Sequence, residues 1–255
     1  MTRVAFVTGA SSGLGRGLAY RLAGDGYAVG LAARRTERLE EVAAVIRAAG
    51  GRASVCPCDV GERDSVHDAI ERTQRELGPV DLLVANAGYS EAVGARELTA
   101  RAVERLMRVN FLGAVYAAER VLPGMLERAR GHLVAVGSLT GYGGLPRTAA
   151  YSASKGALDN FFESLRIDLR HTGVAVTVIT PGYVRTELTA RNLNRMPMLL
   201  ELDDAVEVMA DAILRRRRRV AFPRPLSTLA YVAQVFPGWL YDALASRIRR
   251  DKRRD

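Results

Sequence analysis

A tyrosine and a lysine four positions apart are the residues of this chain best suited to chemistry. The segment reads Tyr151-Ser152-Ala153-Ser154-Lys155, and Ser138 stands thirteen residues before the tyrosine. Positions four apart on a helix share a face, so the phenol and the ammonium can address one pocket. We expect the nearby cation to lower the pKa of the tyrosine from its usual value of about 10, which allows proton exchange with a substrate oxygen near neutral pH. Ser138 could hydrogen-bond that same oxygen.

The scarcity of lysine sets Lys155 apart. The chain has 37 basic residues, and only Lys155 and Lys252 are lysines. In a sequence that otherwise uses arginine, a lysine indicates a position where a compact ammonium is needed. A Tyr and a Lys four apart would alone more often be a surface pair. The serine and the rarity of lysine make the combination far more specific.

A glycine-rich turn follows the first strand-like run of the chain. It reads Thr8-Gly9-Ala10-Ser11-Ser12-Gly13-Leu14-Gly15 and precedes a helical segment over 16–23. Glycines permit a tight turn and let backbone N–H groups approach a pyrophosphate at a helix N-terminus, where the helix dipole favours anions. The alternative is an ordinary glycine-rich turn. The position at the first strand–helix junction favours a nucleotide site.

The second strand-like run ends in two arginines. The segment Ala32-Ala33-Arg34-Arg35 has no carboxylate before Glu37. An acidic residue here would bind the adenine ribose 2′-hydroxyl of NAD(H), whereas arginine accommodates the 2′-phosphate of NADP(H). The sequence therefore predicts NADP(H) in preference to NAD(H). The alternative is that Arg34 and Arg35 only begin a solvated helix.

Apolar, β-branched runs alternate with segments of helical period along most of the chain. This alternation predicts an α/β fold, a Rossmann-type doubly wound parallel sheet of about seven strands with helices on both faces. No composition break precedes the arginine-rich region near residue 213, so we expect one catalytic domain over 1–223, including a substrate loop over 187–202, and a basic extension over 224–255. The strand-like runs are Val4–Val7, Ala28–Ala32, Ala53–Cys56, Val80–Ala85, His132–Val136, Val174–Ile179 and Val220–Phe222.

Composition argues against several other classes of function. Cys56 and Cys58 have no second cysteine pair or histidine cluster beside them, so we expect reduced structural thiols and no metal site. The three histidines suggest no nucleophile–base–acid arrangement. The net charge of +9 arises after residue 212, because residues 1–212 hold 25 basic and 25 acidic residues. The body therefore lacks the basic patch of a nucleic-acid-binding protein.

Taken together, these motifs resemble the short-chain dehydrogenase/reductase family in its compact, single-domain form. The resemblance covers about residues 3–223. One departure is Ala85, where the family often has a second asparagine. The resemblance rests on the Thr8-to-Gly15 turn, Asp59, Asn86-Ala87-Gly88, Asn110, Ser138, Tyr151, Lys155 and the segment Pro181-Gly182-Tyr183-Val184-Arg185-Thr186.

The resemblance implies a role for each of these residues. Tyr151 would be the general acid and base, Lys155 would lower its pKa and hold the nicotinamide ribose, Ser138 would orient the substrate, and Asn110 would position a water for a proton relay. The family also implies a small-molecule carbonyl or alcohol substrate and a homodimer or homotetramer. The alternative is a catalytically silent NADP(H)-binding protein. The implied cofactor contacts, besides Tyr151 and Lys155, are Gly9, Ser11, Ser12, Gly13, Leu14, Gly15, Arg34, Arg35, Asp59, Val60, Asn86, Ala87, Gly88, Pro181, Gly182, Val184 and Thr186.

The sequence of the extension over 224–255 allows two interpretations. Two short amphipathic segments, broken at Pro237-Gly238 and flanked by arginines, suit the surface of an anionic membrane. They could instead pack on the body as a lid or a subunit contact, which we favour. The first strand-like run starts close to the initiator Met, so we expect a cytoplasmic protein, with peripheral contact at the inner membrane surface if the first reading holds.

Overall fold

Seven parallel strands form a single sheet in the computed structural model, which describes residues 2–190 and 196–246. Their order is β3-β2-β1-β4-β5-β6-β7, and each neighbouring pair is parallel. The predicted doubly wound sheet is confirmed. The strands are β1 Val4–Thr8, β2 Ala28–Ala33, β3 Ala53–Pro57, β4 Val80–Ala85, β5 Gly131–Val136, β6 Val174–Pro181 and β7 Arg219–Phe222.

Helices cover both faces of the sheet, which explains why the strands read as continuous apolar runs. Every residue of β1, β2, β4 and β5 is buried. One core cluster joins α1, α2 and α8 to the sheet, and the other joins α3, α5 and α6 to the opposite face. The helices are α1 Gly13–Gly24, α2 Thr36–Ala48, α3 Arg63–Leu77, α4 Ala100–Met107, α5 Gly113–Glu127, α6 Ala149–Asp168, α7 Glu187–Ala190, α8 Leu202–Leu214, α9 Arg224–Ala233 and α10 Gly238–Ser246.

The strand order reverses at β1, which lies between β2 and β4. At such a point the loops after neighbouring strands diverge and leave a crevice beyond their carboxyl ends. Thr8 holds the two sides together, because its Oγ1 accepts hydrogen bonds from the backbone N–H groups of Asn86 and Ala87, both at 3.0 Å. The crevice is where the sequence places the glycine-rich turn.

The segment after β7 packs on the body through part of its surface. Ser227 of α9 is buried and donates hydrogen bonds to the carbonyl oxygens of Ala221 at 3.3 Å and Arg224 at 3.0 Å. The hydroxyl of Tyr241 in α10 donates to the carbonyl oxygen of Gly144 at 2.8 Å. Both predicted short helices are therefore present and attached. None of the helices within 2–190 and 196–246 is both long and apolar enough to cross a membrane.

Cys56, Cys58 and His132 are all buried in the interior of the protein. Cys56 and Cys58 are free and buried, and burial raises the pKa of the Cys58 thiol to about 11. His132 is buried and shares a hydrogen bond of 2.8 Å with Thr177 Oγ1. Among the described residues, no group of three or more His, Cys, Asp or Glu side chains is placed to hold a metal ion.

Candidate active site

The glycine-rich turn brings backbone into close contact where side chains would not fit. Gly9 has a φ of +69°, and a Cβ at Gly15 would collide with the carbonyl oxygen of Gly9 and the side-chain amide of Asn86. Gly13 has a φ of +52°, and a Cβ there would lie 3.4 Å from Thr186. The turn after β1, the loop after β4 and the segment after β6 therefore meet at one place.

The N-terminus of α1 suits an anionic group. Ser12 precedes the helix without forming a side-chain capping bond, and the first turn contains no acidic residue. The first N–H groups of a helix have no partner within it, and the positive end of the dipole adds to their attraction for phosphate. Ser12, Gly13, Leu14 and Gly15 thus fit the pyrophosphate of a dinucleotide.

Arg35 lies over this turn. Its Nη2 donates hydrogen bonds to the hydroxyls of Ser12 at 2.7 Å and Ser11 at 3.2 Å. Its Nη1 forms an ion pair with Glu187 at 3.0 Å in which both side chains are about half exposed. Exposed pairs of this kind contribute little, so a phosphate could replace the carboxylate. Arg34 is exposed and has no hydrogen bond within the described part of the chain.

The loops after β3 and β4 place the other expected cofactor contacts. Asp59 Oδ1 accepts a hydrogen bond from the backbone of Gly61 at 2.9 Å, so Asp59 shapes its own turn, and Val60 beside it is buried. Asn86 Nδ2 donates to the carbonyl oxygen of Thr8 at 2.9 Å, while Ala87 and Gly88 continue the loop. These contacts fix backbone at the rim of the crevice.

The segment after β6 closes the same rim. Pro181 ends the strand, and the backbone N–H of Gly182 donates to the carbonyl oxygen of Phe222 at 2.7 Å. Val184 is buried and bridges to Leu200 in parallel register. Thr186 follows and faces Gly13. The part of the predicted substrate loop over 191–195 lies outside the described residues.

Ser138 follows β5 and is prepared to donate a hydrogen bond. Its Oγ accepts from the hydroxyl of Thr140 at 2.9 Å and from the backbone N–H of Thr140 at 3.3 Å. The proton of the Ser138 hydroxyl is therefore free to be donated to a group other than Thr140. Burial raises the pKa of Tyr151, and a hydrogen bond from Ser138 acts in the opposite direction. The structure thus brings the phenol and the serine hydroxyl close together.

The expected lowering of the Tyr151 pKa by Lys155 is wrong for this structure. Desolvation dominates and raises the pKa of Tyr151, and the ammonium is not among the groups that shift it. Lys155 is buried, and its Nζ donates to the carbonyl oxygen of Val136 at 2.8 Å. Burial lowers the pKa of Lys155 to about 8. Removal from water thus favours the neutral form of both groups.

Asn110 holds the floor of the site. It lies in a π-helical turn, Arg108–Leu112, between α4 and α5. Its Oδ1 accepts from the backbone N–H of Tyr89 at 2.9 Å, and its Nδ2 donates to the carbonyl oxygen of Tyr89 and to Ser154 Oγ, both at 3.0 Å. A Cβ at Gly88 would lie 3.1 Å from Asn110 Oδ1 and 3.3 Å from Lys155 Nζ. The asparagine therefore ties the loop after β4 to α6 beside the lysine.

A buried carboxylate lies one helical turn beyond Lys155. Asp159 is buried, and neither of its oxygens has a hydrogen-bond partner within the described part of the chain, while Arg219 Nη2 lies 3.5 Å from Oδ2. Burial raises the pKa of Asp159 to about 6, and the cations of Arg219 and Lys155 oppose that rise. Arg219 also pairs with Glu163 at 3.1 Å. The active-site helix thus carries a Tyr, a Lys and an Asp in a row at intervals of four.

Three contributors were missed by the sequence reasoning. Asp159 and Ser154 lie close to Lys155 in sequence, and their helical spacing from Tyr151 and Lys155 was a usable signal. Thr140 lies two residues after Ser138, a spacing common in turns closed by a hydroxyl. The partner of Asp159, Arg219, lies on β7, and no local pattern points to it.

Comparison with known proteins agrees with this geometry. The family model described as short chain dehydrogenase matches residues 3–196. An uncharacterized oxidoreductase of Myxococcus xanthus is 47% identical over 247 residues, covering 97% of this chain and 98% of the relative. The chain belongs to the short-chain dehydrogenase family and is an oxidoreductase of that family.

Solved structures show two cofactors bound to this fold. A short-chain dehydrogenase from Sphingobium yanoikuyae in complex with NADPH is 27% identical, with a TM-score of 0.81 and 99% of each chain covered. A short-chain dehydrogenase/reductase from Burkholderia phymatum in complex with NAD is 26% identical, with a TM-score of 0.82, covering 89% of this chain and 92% of that one. The fold accordingly accepts both nucleotides, and the choice must come from individual residues.

Proposed function

We propose that this protein is an NADP(H)-dependent oxidoreductase that reduces the carbonyl group of an apolar small molecule or oxidises the corresponding alcohol. The observation that carries the proposal is the meeting of Ser138, Tyr151, Lys155 and Asn110 beside a glycine-rich turn fit for a dinucleotide. Bound NADP(H) would supply or accept the hydride. The protein supplies the proton, the orientation of the substrate and the exclusion of water.

In the direction of reduction, the Tyr151 hydroxyl would give its proton to the carbonyl oxygen of the substrate, and with the hydride that bound NADPH would supply to the carbonyl carbon the product would be a neutral alcohol. A raised pKa keeps the phenol protonated, which is the form that a general acid requires. Ser138 donates its free proton to the same oxygen, because Thr140 already occupies the serine as an acceptor. Two donors then stabilise the charge that develops on that oxygen.

Lys155 and Asn110 act around this proton transfer. At a pH at which Lys155 is still protonated, below its pKa of about 8, its ammonium would attract the phenolate formed when Tyr151 gives its proton to the substrate, since opposite charges attract strongly where water is excluded. Lys155 would also hold the nicotinamide ribose. Asn110 would position a water that returns a proton from solvent. Its own amide is fixed by Tyr89 and Ser154, so the floor of the site is rigid.

The choice of NADP(H) is attributed to Arg35, with Arg34 beside it. Arg35 already contacts Ser11 and Ser12 above the N-terminus of α1, where the adenine ribose of a bound dinucleotide would lie. In this position a guanidinium can bind the 2′-phosphate in a bidentate manner. Asp59 would contact the adenine. The catalytic domain would span 1–223, and we propose a cytoplasmic homo-oligomer, either a dimer or a tetramer.

Replacement of Tyr151 by Phe tests the mechanism. Oxidation of NADPH would be followed with a panel of ketones and aldehydes, and NADPH binding by its fluorescence. We expect turnover to fall by roughly three orders of magnitude or more while NADPH binding is kept, because only the transferable proton is removed. Tyr20→Phe in α1 is the matched control and should turn over normally. Near-normal turnover in Tyr151→Phe would refute the mechanism.

The same panel separates the enzyme from a catalytically silent NADP(H)-binding protein. Binding of NADPH without turnover of any carbonyl compound, or of any alcohol with NADP⁺, would favour the silent protein.

The double variant Arg34→Gln and Arg35→Gln tests the preference for NADP(H) over NAD(H). We expect the dissociation constant of NADPH to rise roughly 10- to 150-fold and that of NADH to stay nearly constant, since the loss of one charge-assisted contact, that of Arg35, costs about 1.5–3 kcal/mol. Arg38→Gln, also exposed on α2, is the control. An equal loss for both cofactors would refute the 2′-phosphate assignment.

A further inference from the structure

We propose that the outer surface of α9 and α10 binds an anionic lipid surface. This α9–α10 surface consists of Leu229, Tyr231, Val232, Val235 and Trp239, all of which are exposed. Val235 is 79% exposed and Trp239 is 73% exposed. Side chains of this size are usually removed from water, and several of them side by side mark an interaction site. The proposal does not depend on the proposed enzymatic function.

The exposed apolar residues are concentrated here. Five of the thirteen large hydrophobic residues that are exposed in the described part of the chain lie within the eleven positions 229–239. Others stand singly on different elements, such as Val45 on α2, Leu98 before α4 and Ile167 on α6. Single exposed apolar residues are ordinary, whereas a cluster on one surface needs a partner.

The two helices are attached on one side, which leaves the other side free. Leu226 lies against Gly182, Ser227 is buried, and Tyr241 donates to the carbonyl oxygen of Gly144. Tyr231, at the edge of the α9–α10 surface, packs edge-on against Tyr142 with ring centroids 6.1 Å apart and still remains 64% exposed. The apolar α9–α10 surface is therefore held in a fixed orientation by the body. The interpretation in which α9 and α10 only complete the fold does not explain why this apolar surface is exposed.

The charge of the neighbouring sequence indicates which kind of partner binds the α9–α10 surface. Between Arg224 and Arg247 the sequence has one charged residue, Asp242, and residues 247–255 then contain six basic and two acidic residues, a net charge of +4. An apolar surface that includes a Trp and a Tyr, followed directly in the sequence by a cationic segment, is the combination that binds at the interface of an anionic membrane. Arginines 215 and 217–219 contribute less, because Asp211, Glu163 and Asp159 pair with them.

A second copy of the chain fits this surface less well. A two-fold contact joins the same surface of both subunits, and each subunit carries the +4 sequence directly after α10. Like charges oppose that association, whereas an anionic bilayer attracts both segments. The Tyr241–Gly144 bond also places the α9–α10 surface beside the loop that follows Ser138.

Trp239 provides the experiment, because it is the only tryptophan of the chain. The full-length protein would be mixed with vesicles of phosphatidylcholine and phosphatidylglycerol in equal parts and with vesicles of phosphatidylcholine alone. We expect the Trp239 emission to shift to the blue and its quenching by acrylamide to fall with the anionic vesicles only. The protein should co-sediment with them and be released by salt, since screening shortens the Debye length.

A triple variant, Leu229→Ser, Val235→Ser and Trp239→Ser, tests the surface itself by sedimentation. We expect vesicle partitioning to weaken roughly 100-fold or more, because each large apolar side chain that leaves water contributes about a factor of ten. Val45→Ser, Leu98→Ser and Ile167→Ser make the control, because they replace three large apolar side chains that are exposed singly on other elements. This control should partition like the wild type.

Three results would overturn the proposal. The first is the absence of a Trp239 shift with anionic vesicles. The second is equal binding of the triple variant and the wild type. The third combines two observations made without lipid. Quenching of Trp239 by acrylamide decreases as the concentration of the wild type is raised, and the sedimentation coefficient increases with concentration in the wild type but not in the triple variant. That last pattern would assign the α9–α10 surface to a second copy of the chain.

Discussion

Replacing Asp159 by Asn should move the alkaline limit of activity to lower pH. Asp159 lies one helical turn beyond Lys155, and the carboxylate opposes the drop in the pKa of that lysine. The groups that face Asp159 are Lys155 and Glu163 on α6, Arg219 on β7 and the hydroxyl of Thr180 on β6. Asparagine keeps the shape and removes only the charge. The buried lysine then loses the one anion that helps to keep it protonated.

The size of the effect follows from Coulomb's law. Residues four apart on a helix are about 5–6 Å apart at Cβ, and at an effective dielectric constant of about 20 two charges at that distance interact by about 3 kcal/mol, or about two pKa units. Arg219, 3.5 Å from Asp159, offsets part of this field. We therefore expect the pKa of Lys155, about 8 in the wild type, to fall by about one to two units. Activity that needs the ammonium is present below this pKa and is lost as pH rises through it.

The measurement is the pH dependence of kcat/KM for NADPH-driven carbonyl reduction. We expect the alkaline limb of Asp159→Asn to lie about one to two pH units lower, with activity on the acid side largely kept. The fold should persist, because Arg219 keeps Glu163 as a partner. Asp168→Asn, an exposed position at the end of the same helix, removes the same charge and should leave the profile unchanged. An unmoved limb, or a shift to higher pH, would refute the reasoning.

Three further results are expected from buried or crowded positions. Gly15→Ala should weaken NADPH binding at least about tenfold, because its Cβ collides with Gly9 and Asn86, while Gly24→Ala on the same helix, where nothing lies within 4 Å, should bind normally in the same titration. His132 has a folded-state pKa of about 3, below its unfolded value, so the unfolded chain binds the extra proton, and the stability of the wild type relative to His132→Gln, measured by urea unfolding, should fall by up to about 1.4 kcal/mol per unit as pH drops from about 6.5; a difference between the two proteins that does not change with pH would contradict the assignment. The Cys58 thiol, with a pKa of about 11, should resist iodoacetamide at pH 8 in the folded protein and react after unfolding, and rapid labelling of the native state would argue against its burial.

The fold could be predicted from the sequence because its strands are buried on both faces. Runs such as Val80–Ala85 are apolar throughout, and that continuity distinguishes a central parallel strand from an amphipathic one. The seventh strand was predicted from only three residues, Val220–Phe222, and the structure extends it by Arg219. The π-helical turn around Asn110 had no such signal, because it differs from a helix in hydrogen bonding and not in the period of apolar residues.

The candidate site was readable where spacing along the chain equals proximity in space. Tyr151 and Lys155 share a helical face, and Gly9 to Gly15 form one turn, so their local order carries the geometry. The pKa of Tyr151 could not be read in this way, because its direction depends on burial by distant segments. The same holds for Asp159, whose counterion Arg219 lies sixty positions away on another strand.

The row Tyr151, Lys155 and Asp159 explains how a water-poor site can hold charge when it needs it. Burial raises the pKa of the tyrosine and the aspartate and lowers that of the lysine, so each group alone would be neutral. The lysine and the aspartate lie one helical turn apart, and each moves the pKa of the other toward the charged form. In the proposed mechanism the ammonium would be in place before Tyr151 gives up its proton, and the phenolate would form beside a cation that needs no solvent to reorganise around it. In our mechanism Asp159 is therefore a positioning residue for charge, acting on Tyr151 only through Lys155.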